Sequence, residues 1–307
     1  MTLAAFTWSE LAQQIVSGLA TGGIYASLAL ALVIIYRATR VINFAQGEMA
    51  TFSTYIAWWL IDEGGLDFWS AFVLTLVMSF AGGVLLQRVV IRPIERAPVL
   101  TIVMVTLGLL ILLNGAVNWI WGGQTRSFPS AFSTRGIHAG SVVFSIQDLG
   151  FIGVSIGAVV LLYVLFQLTK VGLGLRAAAI NPDASRLLGV RVGWMLALGW
   201  GLSAMLGALS GMMTAPTVQL DPNMMQAVLL YAFAAAVLGG LESPIGAVVG
   251  GLTLGVVLNL LGRYSGDVLG YDLFGGQMRL AGGLVVILAV LLIRPTGLFG
   301  RAAAKRV

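Results

Sequence analysis

Few residues in this chain could do chemistry, and the most distinctive group looks made to be gripped rather than to react. Between Asn181 and Gly189 the sequence marks both ends of a short helix. Asn181 can cap with its side-chain oxygen, Pro182 suits the first helical position, and Asp183 puts negative charge in the first turn. Gly189 supplies a left-handed stop. A helix of about two turns over Pro182–Leu188 is expected, with Ala184, Leu187 and Leu188 along its length and Asp183 and Arg186 as an acid and a base for polar contact. A second group gathers at two helix junctions. Asn43 and Gln46 have the spacing of a capping box, with Glu48 just beyond. Gly239 and Gly240 end one apolar segment, while Ser243 and Pro244 cap and begin the next, with Glu242 between them. Paired Gly/Pro-interrupted segments, each with an acid at the break, point to a translocation path. Glu48 fits such a gating place, and it equally fits a first-turn acid offsetting a helix dipole at the cytoplasmic interface; Glu242 reads the same two ways.

Reactive chemistry is largely excluded. The chain has one histidine, His138, and no cysteine, so thiol nucleophiles, disulfides and zinc hydrolysis through an H-E-x-x-H pair are ruled out. Gly-Lys never occurs, so no nucleotide-binding P-loop is present, and energy from ATP would have to arrive through another subunit. Asn114 and Asn118 lie one turn apart and could bond a substrate or a neighbouring helix; Asn259 and Gln13/Gln14 are of the same kind.

The elements that must position these residues are apolar. Of 307 residues 59% are hydrophobic and 9% charged, and the mean hydropathy is +0.97. No water-soluble surface of this length tolerates that. Glycine, at 40 residues, is nearly twice as frequent as the usual ~7% and lets membrane helices approach closely. Apolar runs suggest spans near 11–36, 44–61, 67–87, 99–121, 148–169, 194–215, 226–241, 244–262 and 278–294. The seventh and ninth are short for a hydrocarbon core of ~30 Å, so eight or nine transmembrane helices are expected, in a single transmembrane domain over residues 1–307. Gly199, Ser203, Gly207 and Gly211 form one small-residue stripe, and Gly246/Gly250 and Gly251/Gly255 form others.

Charge placement orients the spans. With the amino terminus outside, Arg37, Arg40, Arg88, Arg92, Arg96, Lys170, Arg176, Arg186, Arg191, Arg294, Arg301, Lys305 and Arg306 all face the cytoplasm. Of the 17 basic residues only Arg126, Arg135, Arg263 and Arg279 then lie outside. The positive-inside rule favours this arrangement, with the carboxyl terminus inside. It places the 170–193 loop in the cytoplasm and the polar 122–147 loop outside, and it assigns the net charge of +5 to a membrane surface rather than to nucleic acid.

Several stretches resemble the inner-membrane permeases of high-affinity branched-chain amino-acid ABC importers, of the LivH type. Gln13–Glu48, ending in INFAQGE, resembles that family's first two segments. Arg176–Val190 resembles its ATPase-docking loop, and Ala236–Gly255 with RPTGLFGR at Arg294–Arg301 resembles its carboxyl-terminal part. Asn181 stands where an acid is common in the family, and Gly172–Ala179 is less basic than the usual approach to the docking helix. The resemblance implies an all-α polytopic permease in a bacterial inner membrane, not itself an enzyme. It would bind no cofactor of its own, ATP and Mg being held by two cytoplasmic ATPase partners. A second homologous permease, as a heterodimer, and a periplasmic amino-acid-binding protein would complete the assembly, embedded in membrane lipid. Asn181–Gly189 would be the coupling helix, while Asn43, Gln46, Glu48, Gly239, Gly240 and Glu242 would flank the path. Relatives carrying urea or short amides, an ion-coupled carrier or facilitator, and a membrane scaffold or receptor remain alternatives.

Overall fold

A computed structural model describes residues 8–299 apart from 40, 96, 134, 140–141, 270–278 and 294–296. Among them run α1 (Trp8–Thr39), α2 (Gln46–Asp62), α3 (Phe68–Leu86), α4 (Val99–Trp121), α5 (Ile146–Leu168), α6 (Lys170–Ile180), α7 (Pro182–Leu187), α8 (Val192–Val218), α9 (Met225–Gly239), α10 (Pro244–Leu269) and α11 (Arg279–Ile293). After α3 the helix widens into a π turn at Gln87–Ile91 and tightens into a 3-10 turn at Arg92–Ile94. The loop before α5 holds an antiparallel hairpin, β1 (Gly136–Ala139) and β2 (Val142–Ser145), with Gly136 opposite Ser145. The polar 122–147 loop thus contains regular structure. Arg40, Arg96, Arg294, Arg301, Lys305, Arg306 and most of RPTGLFGR lie outside the described residues.

Six described helices are long and apolar enough to cross a membrane, and α9 is a shorter apolar one. Their surroundings divide them. The most apolar windows of α1 and α8 are 89% and 67% buried, against 17% for α4 and α5. Leu112, Ile111 and Trp119 of α4 stand exposed. Such faces are stable against lipid or a partner's helices, where apolar side chains cost nothing and every backbone group is bonded within its helix.

The contacts resolve into two compact units. One comprises Met1–Ala29, Ser130–Ile156 and Leu229–Val307. Its organising element is α10, which uses two glycine stripes for two neighbours. A Cβ on Gly246 or Gly250 would run into the backbone of Gly239 or Ala235 on α9. One on Gly251 or Gly255 would strike Ala26 or Gly22 on α1. The expected seams are present, and each serves a different helix. Asn259 donates to the Gln14 carbonyl and its Oε1, both at 2.9 Å, so these polar residues pair with each other. Arg263 lies 3.7 Å from Glu10, which puts the start of α1 and the end of α10 on one side.

The other unit comprises Leu30–Pro129 and Gly157–Val228. Here α8 is central. Gly207 and Gly211 meet Gln46, Ala50 and Thr54 of α2, while Gly201 meets Phe80 and Val84 of α3. Ile35, Met49, Ile91, Trp200 and Ala204 close the core. Asp67 caps α3 by accepting from the N–H groups of Trp69 and Ser70, both at 3.1 Å. Hydrogen bonds from Ser70, side chain first and then backbone, hold the Asp67 carboxyl below its ordinary pKa.

The seams give a direct test. Gly255→Leu should destabilise the protein by about 1–3 kcal/mol through overpacking. Gly108→Ala, on α4 with open space beside it, should be neutral or stabilising by up to ~1 kcal/mol from helix propensity. Thermal unfolding in detergent reads both, and equal midpoints for the two variants would refute the close-approach account.

Candidate functional site

The first candidate region lies where α2 begins. The expected capping box is not formed: α2 starts at Gln46 after Ala45, with no side-chain cap. Asn43 instead turns the chain before the helix. Its Oδ1 accepts from Ala45 N at 3.1 Å, and its carbonyl accepts from Gln46 N at 3.3 Å. The reason is that Gln46 is drawn elsewhere. Gln46 Nε2 donates to the Ser203 carbonyl at 3.0 Å. Gln46 Oε1 lies 3.2 Å from Asn43 Nδ2 and 3.0 Å from Ser203 Oγ. The Ser203 hydroxyl also reaches the Ala31 carbonyl at 2.9 Å. Ser203 and Gln46 are fully buried and Asn43 is 1% exposed, so α1, α2 and α8 are joined by a dry polar knot.

This junction lies near the middle of α8. Gln46 packs on Gly207, which lies about 22 Å from the Val192 end of α8 and about 16 Å from its Val218 end at 1.5 Å per residue. Glu48, two residues on, is buried as well, its side chain 3% exposed. Asn114 Nδ2 donates to Glu48 Oε2 at 3.3 Å, and the Gln226 side chain bonds Glu48 as well. Asn114 Nδ2 also lies 3.2 Å from the Pro222 carbonyl and 3.1 Å from Asn223 Oδ1. Two N–H groups are thus shared among three oxygens. Asn118 donates to the Asn114 carbonyl at 2.9 Å, so its partner is the preceding turn of its own helix.

Toward the far end of α2 the polar cluster gives way to aromatic rings. Tyr55 stacks on Trp121 with centroids 5.4 Å apart, and the Arg126 guanidinium lies 4.1 Å from the centre of the Trp58 ring. Arg126 and Leu220 exchange backbone hydrogen bonds of 2.8 and 3.0 Å, pinning the chain after α4 to the chain after α8. Asn223, Gln226, Ser203 and the Trp58–Arg126 pair were not legible as site residues. Ser203 could have been found, since it is the one hydroxyl in a glycine stripe.

Gly239, Gly240 and Glu242 belong to the other unit. Gly239 ends α9, Gly240 has φ +100°, and Ser243 Oγ caps α10 by accepting from Gly246 N at 3.0 Å. Two late residues satisfy the end of α9: Leu298 N donates to the Leu238 carbonyl at 2.8 Å and Phe299 N to that of Gly239 at 3.1 Å. Glu242 is exposed in the turn between the helices.

The second candidate region is α7. Asn181 Oδ1 accepts from Ala184 N at 3.0 Å, Pro182 occupies the first position, and Gly189 takes φ +82°. Helical geometry ends at Leu187 rather than Leu188, because Leu188 forms the C-cap. Arg186 pairs with Asp183 at 2.8 Å and reaches Glu95, after α3, at 3.8 Å. Leu187 and Leu188 are 90% and 84% exposed, side by side on a rigidly capped turn. The segment before it is helical as well: α6 is capped by Thr169, whose hydroxyl accepts from Gly172 N at 3.0 Å.

The sequence profile described as branched-chain amino acid transport system / permease component matches residues 14–294. The chain belongs to that family. It is 30% identical to the high-affinity branched-chain amino acid transport system permease protein BraD of Pseudomonas aeruginosa, over 96% of this chain and 97% of that one. It is 28% identical to the LivH permease protein of Escherichia coli over the same shares. A probable LivH permease of Methanocaldococcus jannaschii is 29% identical over 89% of this chain and 87% of its own. No solved structure matches. The chain is thus a multi-pass membrane permease.

The buried knot generates a graded outcome. Ser203→Ala removes one donor and should cost about 1 kcal/mol, whereas Gln46→Leu removes both the amide donor to α8 and the oxygen that Ser203 and Asn43 share, leaving Asn43 Nδ2 only the Met49 sulfur at 3.4 Å, and should cost about 1–3 kcal/mol. Unfolding midpoints in detergent check the order, and Gln46→Leu being the milder of the two would overturn the assignment.

Proposed function

We propose that the chain is the transmembrane subunit of an ATP-driven importer that moves branched-chain, hydrophobic amino acids into the cytoplasm. A periplasmic binding protein delivers the substrate, a second homologous permease completes the path as a heterodimer, and two ATPase subunits supply ATP and Mg. The observation that carries this reading is α7: an exposed, capped helix with two adjacent leucines facing out, on a chain that has no nucleotide-binding loop of its own. In an assembled transporter α7 sits in a groove on an ATPase, with Leu187 and Leu188 buried in the contact and Asp183 and Arg186 at its edge. The whole chain acts as one permease domain, with its amino terminus periplasmic and its carboxyl terminus cytoplasmic. The Asn43–Gln46–Glu48 junction gates the path at mid-depth, helped by Asn114, and the Gly239–Glu242 turn is its counterpart.

Three outcomes follow. Burying one leucine is worth about 1.5–3 kcal/mol, so Leu187→Asp should weaken co-purification with the ATPases at least tenfold, and Gly189→Pro should do so by distorting the stop. Undiminished complex and uptake in both variants would sink the coupling assignment. For gating, Glu48→Gln preserves an acceptor for Asn114 and should retain most uptake, while Glu48→Leu should lower it more than tenfold. Equal uptake for the two would remove Glu48 from the path. The natural lack of cysteine makes orientation easy to read. A single cysteine at Leu187 should label only from the cytoplasm and one at Gly123 only from the periplasm, and the reverse pattern would invert the topology.

A further inference from the structure

On the α7 side of its unit the protein has a half-open pocket of about 280 Å³, bounded by the end of α1, the π turn after α3, the start of α4, α7 and the start of α8. Its polar lining includes Gln87, Glu95, Asp183, Arg186 and Trp200. Gln87 and Trp200 are each 1% exposed. Among the described residues neither amide atom of Gln87 has a hydrogen-bond partner, nor has the indole nitrogen of Trp200, nor Glu95 Oε2. Buried polar atoms are nearly always bonded, because each left unpaired destabilises the fold. Three such side chains on one cavity form a set that packing alone does not account for. Gln87 opens a π turn, a widened helical turn that recurs at functional sites because it displaces side chains from the regular ladder.

The unpaired atoms are of two kinds. Trp200 Nε1 and Gln87 Nε2 are donors and call for an acceptor such as a carboxylate. Glu95 Oε2 and Gln87 Oε1 are acceptors and call for a donor such as an ammonium. Arg186 holds Glu95 only at 3.8 Å, through the other carboxylate oxygen. The remaining wall is apolar, with Ile91, Ile102 and Leu196. A ligand that presents a carboxylate and an ammonium at one end and a short hydrocarbon at the other offers a partner of each kind, reached by small side-chain rotations at the pocket wall.

We propose that this cavity binds a free α-amino acid with a short apolar side chain, and that its occupancy braces the coupling helix. The binding half of this inference rests on the cavity alone; the bracing half rests on the reading of α7 as the ATPase handle. Pro182, Asp183 and Arg186 of α7 form part of the wall, so a bound molecule ties α7 to the π turn and to α8. Product that accumulates on this side then slows the next transport cycle.

The test separates the two halves. L-leucine added to the purified full-length chain in detergent should give saturable binding by calorimetry and raise the unfolding midpoint. Trp200→Phe, which removes only the indole N–H, and Glu95→Gln should each weaken binding at least tenfold, as should Gln87→Leu. Acetamide and urea, which lack the charged pair, should not bind. Binding unchanged in all three variants would place the leucine elsewhere and overturn the proposal, and so would the absence of saturable binding to the natural chain, which would leave water as the cavity's occupant. In the complex reconstituted with its ATPases, leucine on the α7 side should lower ATP hydrolysis for the natural chain and not for Trp200→Phe. Inhibition equal in both would overturn the bracing role. Failure of the ATPases to associate at all would count against the proposed function instead, and would leave the binding result standing.

Discussion

A helix that begins in a buried interior must satisfy its first N–H groups without bulk water, and the placement of α2 depends on how this is done. In lipid each unsatisfied backbone group costs several kcal/mol. Asn43 meets part of the demand by turning the preceding chain, so that its side chain and carbonyl accept from Ala45 and Gln46. Gln46 then acts as a cross-brace, donating to α8 and accepting from the turn beside it. Ser203 extends the brace to the Ala31 carbonyl of α1. One hydroxyl proton serves two oxygens there, Ala31 O and Gln46 Oε1. The knot is therefore satisfied in more than one way, a property suited to helices that shift against each other.

Close approach is the second requirement, and glycine supplies it where the knot needs it. A side chain at Gly207 would collide with the Gln46 amide, and one at Gly211 with Thr54. The hydrogen bonds that hold α2 and the smooth face that admits it thus come from the same stretch of α8. Without hydrophobic drive between helices in lipid, such packing and bonding are what associate them. Helices α4 and α5 carry neither device along most of their length, and their apolar windows are the least buried among the described spans.

This division explains what the sequence made legible. Apolar run length found every long helix, because the membrane sets that length directly. Local chemistry at Asn181, Pro182 and Gly189 marked α7 to within one residue, since caps are decided by neighbours in the chain. The Asn43–Gln46 spacing misled for the opposite reason. A capping box is a local bargain, and a partner 157 residues away offered Gln46 a better one. The π turn at Gln87 and the helical course of the glycine-containing α6 were hidden likewise, as both arise from packing against α8 rather than from propensity. Glu48 was legible as a candidate and illegible in depth, because α2's start could be located only through its contact with the middle of α8.

The proposed handle and the proposed gate meet in α8. The chain passes from α7 through Gly189 to Arg191 and enters α8 at Val192 without a flexible linker: Val190 N bonds the Ser185 carbonyl at 3.0 Å, and Met195 N bonds that of Arg191 at 3.1 Å. Arg88 lies 3.8 Å from the centre of the Trp194 ring, tying the first turns of α8 to the π turn that follows α3. A pull on α7 is therefore delivered to the α7 end of a rigid helix, α8, whose middle carries Ser203 and Gly207 against α2. Because α8 is about 40 Å long at 1.5 Å per residue, a tilt of a few degrees about its far end moves Ser203 by an ångström or more. That is enough to exchange the partner of a single hydroxyl proton. The proposed gate would then be worked by a lever and a hydrogen bond with two acceptors.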